Sequence, residues 1–167
     1  KLSQYYQSLL LPYVLTRGIP NYNIKNNLII NDIKSINTAT YLKLVKDIMQ
    51  ALAKDLGRSE AEAYFCDIGS TILEINEYIK GLKKWTRPEL HYSGLTCFPS
   101  LFTKVYKIPY GVTLIISPFN FPFLLSFGVL AASIAGGNTA VIKASSKSAA
   151  STACMAKIIK EAFEKTR

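Results

Sequence analysis

Two polar side chains stand out in an otherwise uncharged stretch. Asn120 sits in Pro118-Phe-Asn-Phe-Pro122, directly after the apolar run Gly111-Val-Thr-Leu-Ile-Ile-Ser117, and Lys143 closes a second apolar run that begins at Thr139. An amide NH2 held rigidly between two prolines is a donor with no proton to lose or gain, suited to an oxyanion that develops in a water-excluded site. A lysine that closes a buried strand, at the C-terminal edge of a parallel sheet, lies where doubly wound folds bind ligands. Each residue also has a plainer reading. Asn120 is well placed to cap a helix opening at Pro122, and Lys143 to snorkel from a strand end.

The elements that must position these two residues are legible around them. Val112–Ile116 is β-branched like a buried parallel strand. A helix is predicted over 122–135, stopped by Gly136-Gly137, then a strand over 139–143 and a helix from Ser148, with Ser148 as its cap and a Glu161–Lys165 pair on its surface. Strand-helix-strand-helix with short links opens a doubly wound α/β sheet.

Upstream, the pattern turns helical from Thr40, with Leu42, Leu44, Val45, Ile48, Met49 and Leu52 on adjoining faces, and Gly57 fits the C′ position. Ser59-Glu-Ala-Glu62 is a capping box for a second helix. Its apolar stripe runs through Tyr64, Ile68, Ile72, Ile75, Ile79 and Leu82, and Pro88 stops it. His91 to Tyr110, with Gly94, Pro99 and Pro109, reads as loops and hairpin-like strands, whereas residues 1–38 are turn-rich and poorly patterned. The fold class is therefore α/β: an N-terminal helical region over 1–90, connecting loops and strands over 91–110, and from 111 to 167 the first, incomplete part of a doubly wound, Rossmann-like parallel sheet.

Composition narrows the function classes. Hydrophobic residues make up 49% and mean hydropathy is +0.16, rich for a small free-standing domain. Such richness fits apolar faces that expect partners from further sequence. The chain begins with Lys1 and ends at Lys-Thr-Arg167 inside a predicted helix, so both ends read as cut. The net charge of +9 comes from 20 Lys and Arg against 11 Asp and Glu. Lys25, Lys34, Lys43, Lys46 and Lys54 are dispersed, and only Lys80, Lys83, Lys84 and Arg87 cluster. Without a nucleic-acid motif this describes a solvated surface, and no nucleic-acid partner is expected.

Cys66, Cys97 and Cys154, with His91 as the lone histidine, have no metal-ligand spacing, so no metal site is expected. Cys66 and Cys154 read as small core residues, and unpaired thiols suit a reducing, cytoplasmic setting. The uncharged stretch from Ile108 to Asn138 is interrupted by Pro118, Asn120 and Pro122, and Leu9-Leu10-Leu11 is cut short by Pro12. Neither spans a bilayer.

Gly111 to Phe123, Val141-Ile-Lys143, Asp55-Leu-Gly-Arg-Ser-Glu-Ala-Glu-Ala-Tyr64 and Leu82-Lys-Lys-Trp85 together resemble the aldehyde dehydrogenase superfamily, most of all its class 3, fatty-aldehyde-like branch. The resemblance covers residues 42–167. It implies an enzyme that oxidises an aldehyde to a carboxylic acid with NAD or NADP. It implies Asn120 as the oxyanion donor, and Ile116, Ser117, Pro118 and Phe119 as the wall of the nicotinamide-side half of the cofactor site, mostly through backbone. Lys143 would face the adenine ribose or its phosphate. The strands near 91–110 would join domains and subunits of a homodimer.

One departure is informative. The family usually continues Lys-Pro-Ser-Glu, whereas this chain reads Lys143-Ala-Ser-Ser146. Ser146 removes a carboxylate that would accept from ribose hydroxyls and repel a 2′-phosphate, which makes NADP acceptable. The family's general base in Glu-Leu-Gly-Gly and its nucleophile in Gly-Gln-x-Cys are absent from the 167 residues. The chain is therefore expected to be an N-terminal portion that is inert alone, since no covalent intermediate forms without a thiolate. Any membrane anchor would lie outside it. The competing reading is a non-catalytic truncated product or split subunit that binds a partner.

Overall fold

The computed structural model describes residues 10–11, 43–95, 98–99 and 101–164. Cys97 and the predicted pair of Glu161 with Lys165 fall wholly or partly outside them.

Helix α1 spans Val45–Leu56, a few residues shorter at its start than the helical pattern from Thr40. It buries Ile48, Ala51 and Leu52. Gly57 ends it in the left-handed region at φ 66°, where its N–H reaches the Ala53 carbonyl at 2.9 Å. Glycine adopts this conformation without a Cβ penalty. The predicted capping box is present: Glu62 N–H donates to Ser59 Oγ (3.3 Å) and Ser59 N–H to Glu62 Oε2 (3.0 Å).

The helix it opens is not continuous. Helix α2 covers Glu60–Ala63, a wide π turn follows at Tyr64–Gly69, and α3 resumes at Ser70–Trp85. The wide turn changes the angular step, so the predicted stripe holds only in part. Ile68, Ile75 and Leu82 are buried, but Tyr64 is about half exposed and Cys66 only half-buried. Asp67 takes an interior place instead, fully buried.

Strands β2 (Glu89–Tyr92) and β3 (Phe102–Val105) form an antiparallel pair running from Glu89 opposite Val105 to Tyr92 opposite Phe102. The hairpin expected in this region is thus formed, with every residue exposed.

Strands β4 (Val112–Ile116) and β5 (Thr139–Lys143) match their predicted limits and pair in parallel, from Val112 opposite Thr139 to Ile116 opposite Lys143. Asn138 fixes their start, its Oδ1 accepting from Gly111 N–H at 3.0 Å. A short strand β1 (Leu10–Leu11) lies antiparallel on the far side of β5, giving the order β1-β5-β4. The expectation that β4 is buried needs correction. Ile115 is buried, but Val112, Leu114 and Ile116 are 72%, 62% and 66% exposed, because β4 is an edge strand with one uncovered face among the described residues.

The crossover from β4 to β5 is a second wide turn, Leu124–Gly128, leading into α4 (Val129–Ala135). Pro122 therefore precedes the helix rather than opening it. The Ser126 hydroxyl donates to the Pro122 carbonyl at 2.5 Å, a side-chain bond that competes with the regular ladder there. Helix α5 (Ala149–Glu164) packs against α1. One core joins the helices to the sheet: Ile48, Leu52, Ile68 and Ile75 meet Phe123, Phe127, Ile142, Met155 and Ile158. Full burial of such side chains stabilises by about 1.5–3 kcal/mol each.

Candidate functional site

Beyond Ile116 the chain leaves the sheet through Ser117 and turns over Pro118–Pro122. Ser117 faces inward. Its N–H donates to the Lys143 carbonyl (3.0 Å), and its hydroxyl lies 2.8 Å from that of Ser126. Its hydroxyl is therefore engaged within the fold. Pro118, Phe119 and Asn120 face outward, Phe119 being 43% exposed and Asn120 exposed. Ile116 is exposed as well.

The turn is held from beneath by residues of the N-terminal helices. Asp67 Oδ1 accepts from the N–H groups of Phe123 (3.1 Å) and Leu124 (3.0 Å). Its other oxygen pairs with Arg58 Nη1, and Arg58 Nη2 donates to the Asn120 carbonyl at 2.6 Å. The Arg58 guanidinium also stands 4.8 Å from the centroid of the Phe121 ring. Burial pushes the Asp67 carboxyl above its ordinary value. The Leu124 amide, the Arg58 charge and bond, and the Phe123 amide all pull it back. All these partners are donors, so the pocket is built for the carboxylate form.

This arrangement bears on the capping alternative for Asn120. The two amides at the helix start already have an acceptor in Asp67, and no hydrogen bond joins them to the Asn120 side chain among the described residues. The backbone of Asn120 is fixed through its carbonyl, and the residue is exposed.

Lys143, half-buried, stands opposite Ile116 at the C-terminal end of the parallel pair. Ser146 lies three residues on, exposed in the loop before α5. The same loop brings Lys147 to 5.1 Å from the centroid of the Phe119 ring. The structure thus collects Ile116, Pro118, Phe119, Asn120, Lys143 and Ser146 at one edge of the sheet, with Lys147 as a cation the sequence reading had not singled out. That edge suits a dinucleotide: an exposed apolar wall on the β4 side and basic side chains on the β5 side.

The cap expected of Ser148 belongs to another residue. Ala150 and Ser151 N–H donate to Asp55 Oδ1 (3.1 Å) and Oδ2 (2.7 Å). Asp55 sits in the last turn of α1, where the helix dipole disfavours a negative charge, and the N-terminus of α5 offsets that cost. Sequence reading had missed Arg58, Asp67 and Asp55 alike. The available signal was Asp67 itself, a lone acid beside Ile68 on an apolar helix face.

Neither described cysteine has the character of a nucleophile. Burial, with help from the Asp47 charge, pushes the Cys154 thiol up to about 11, leaving negligible thiolate at neutral pH. Cys66 lies in the wide turn of the N-terminal helices, away from Asn120 in the chain and without a basic partner among the described residues.

The aldehyde dehydrogenase family model matches residues 37–165. The 4,4'-diaponeurosporen-aldehyde dehydrogenase of Staphylococcus aureus is 43% identical over 120 residues, which are 71% of this chain and 26% of that protein. Aldehyde dehydrogenase family 3 member I1 of Arabidopsis thaliana, a chloroplastic protein, is 39% identical over 121 residues, 72% of this chain and 22% of that protein. A coniferyl aldehyde dehydrogenase from a Pseudomonas species is 35% identical over 120 residues, 71% and 24% respectively. Among solved structures, a substrate-bound Staphylococcus aureus AldH superposes with a TM-score of 0.67 at 34% identity, covering 100% of this chain and 32% of that one. The chain spans about a quarter of the length of the curated relatives it matches.

Proposed function

Because the chain belongs to the aldehyde dehydrogenase family, we propose that it supplies the oxyanion donor and one wall of the cofactor site of an enzyme oxidising an aldehyde to a carboxylic acid with NAD or NADP. The observation that carries this reading is the Asn120 turn: its backbone is held by Arg58, its helix-start amides are satisfied by Asp67, and Asn120 itself is exposed.

Attack of a thiolate on the aldehyde carbon turns the carbonyl oxygen into an oxyanion. Asn120 Nδ2–H donates to that oxygen more strongly as charge develops, which lowers the barrier rather than merely binding substrate. The thiolate and the base that activates water come from chain beyond these 167 residues, which contain neither Gly-Gln-x-Cys nor Glu-Leu-Gly-Gly. The hydride acceptor would be supplied by bound NAD or NADP. Ile116, Pro118 and Phe119 form an apolar wall that keeps water off that half of the site, with Ser117 offering its carbonyl. Lys143 would face the adenine ribose, and the uncharged Ser146 would leave room for a 2′-phosphate without a repelling carboxylate.

Within the N-terminal region, Arg58 and Asp67 brace the site, and the segment from Gly111 begins the cofactor domain. The exposed β2–β3 hairpin, with Leu90, Tyr92, Phe102 and Val105 open, is the surface offered to a second subunit of a homodimer. Among the described residues no helix is long and apolar enough to cross a membrane. The free thiols of Cys66 and Cys154 fit a cytoplasmic location.

The test is aldehyde-dependent reduction of NAD and NADP by the longer chain and by residues 1–167 alone. The proposal expects turnover from the first and none from the second. Turnover by residues 1–167, or a longer chain inert toward every aldehyde, would overturn it, the latter in favour of a partner-binding product.

A further inference from the structure

We propose that Arg58 and Asp67 are positioning residues for Asn120, acting as a clamp that fixes the turn on which the oxyanion donor rides. The inference rests on the reading of Asn120 given above. It comes from where the two side chains spend their bonds. Arg58 Nη2 holds the Asn120 carbonyl at 2.6 Å, its guanidinium lies 4.8 Å from the Phe121 centroid, and Asp67 Oδ1 holds Phe123 and Leu124 N–H at 3.1 and 3.0 Å. Four of the five residues from 120 to 124 are therefore contacted by one ion pair.

The pair itself is built to be rigid. Asp67 is fully buried and the Arg58 side chain only 15% exposed. Arg58 follows Gly57, which ends α1, and precedes the Ser59 capping box, so its backbone is fixed on both sides. Asp67 sits in the wide turn Tyr64–Gly69, and the next helical turn is tied back by Thr71 Oγ1, which donates to the Asp67 carbonyl at 2.6 Å. A planar guanidinium serves a carboxylate and a carbonyl at once because its donors diverge from a rigid fork. An oxyanion donor works only if it is already in place when charge develops, so a clamp on its backbone acts on turnover rather than on cofactor binding.

The experiment is a double-mutant cycle in the full-length dehydrogenase, with kcat, KM for the cofactor and the folded fraction measured on each preparation. Arg58→Ala should lower kcat about 10- to 100-fold, the scale of a misplaced catalytic group, with cofactor KM within about twofold. In an Asn120→Ala background the same change should alter kcat by less than about threefold, because there is no donor left to misplace. Equal losses in both backgrounds, or unchanged kcat per folded molecule, overturn the clamp. Should Arg58→Ala not fold, Asp67→Asn is judged by the same criteria. It keeps the side-chain shape and an acceptor for the helix amides but removes the charge that anchors Arg58. Native kcat in Asn120→Ala would remove the oxyanion reading and the clamp together, whereas a depressed kcat there with additive Arg58 losses would remove the clamp alone.

Discussion

Two helix starts in this molecule are capped in the same manner, and they differ in what the cap is for. Asp67 accepts from Phe123 and Leu124 at the start of the β4–β5 crossover, and Asp55 accepts from Ala150 and Ser151 at the start of α5. Both acids are borrowed from the N-terminal helices, so each cap also docks those helices onto the later part of the chain. Asp55 is half-buried, has no basic partner among the described residues, and ties down a helix that begins after the loop. Asp67 is fully buried, is paired with Arg58, and through Arg58 reaches the carbonyl of Asn120. A half-exposed acid at a helix terminus is a stability device worth about 1 kcal/mol. A buried carboxylate is tolerable only when its partners are complete, and here the partners are the ends of the turn that carries Asn120.

Asp67→Ala breaks the comparison hardest. It strands Arg58 and two helix-start amides, and should cost about 3–4 kcal/mol of stability, read as a lowered urea midpoint. A loss no larger than that from Asp55→Ala would mean that burial and pairing do not separate the two caps.

Smaller, and confined to the loop that leads into the Asp55-capped helix, is the effect of Ser146→Glu in the full-length enzyme. A carboxylate placed near a 2′-phosphate should move preference toward NAD by roughly 1–3 kcal/mol, about five- to a hundredfold in the NADP/NAD ratio of kcat/KM. An unchanged ratio would show that Ser146 and Lys143 do not face the ribose.

Smallest is Asp55→Ala, which should lower stability by about 1 kcal/mol and leave kcat within about twofold. A large drop in kcat per folded molecule would assign Asp55 a place in the site that the geometry does not give it.

The local elements were legible in the sequence because local rules govern them. β4 and β5 have their predicted limits since β-branched runs and the Gly136-Gly137 stop set them, and the Gly57 end and the Ser59–Glu62 box follow from backbone and capping chemistry. The oxyanion and cofactor candidates were legible through the Pro118–Pro122 motif and Lys143. What was not legible is non-local. Ser148 was the obvious local cap for α5, and Asp55, nearly a hundred residues upstream, displaced it. The wide turns at Tyr64–Gly69 and Leu124–Gly128 arise where distant partners meet: Asp67 of one bonds the start of the other. Periodicity alone cannot announce such an exchange: it puts Tyr64 on the apolar stripe and leaves Asp67 off it. The exposure of β4 had the same cause, since a strand pattern does not reveal which face finds a cover.

The claim that Asn120 is an oxyanion donor on a braced turn is tested most directly by Asn120→Ala in the full-length enzyme, with thermal midpoint and kcat measured on one preparation. The account predicts a thermal midpoint close to that of the parent, since the helix-start amides belong to Asp67, and a kcat lower by about a hundred- to a thousandfold, the 3–4 kcal/mol of one lost oxyanion donor. A destabilised variant with full turnover per folded molecule would contradict it and return Asn120 to the role of a helix cap.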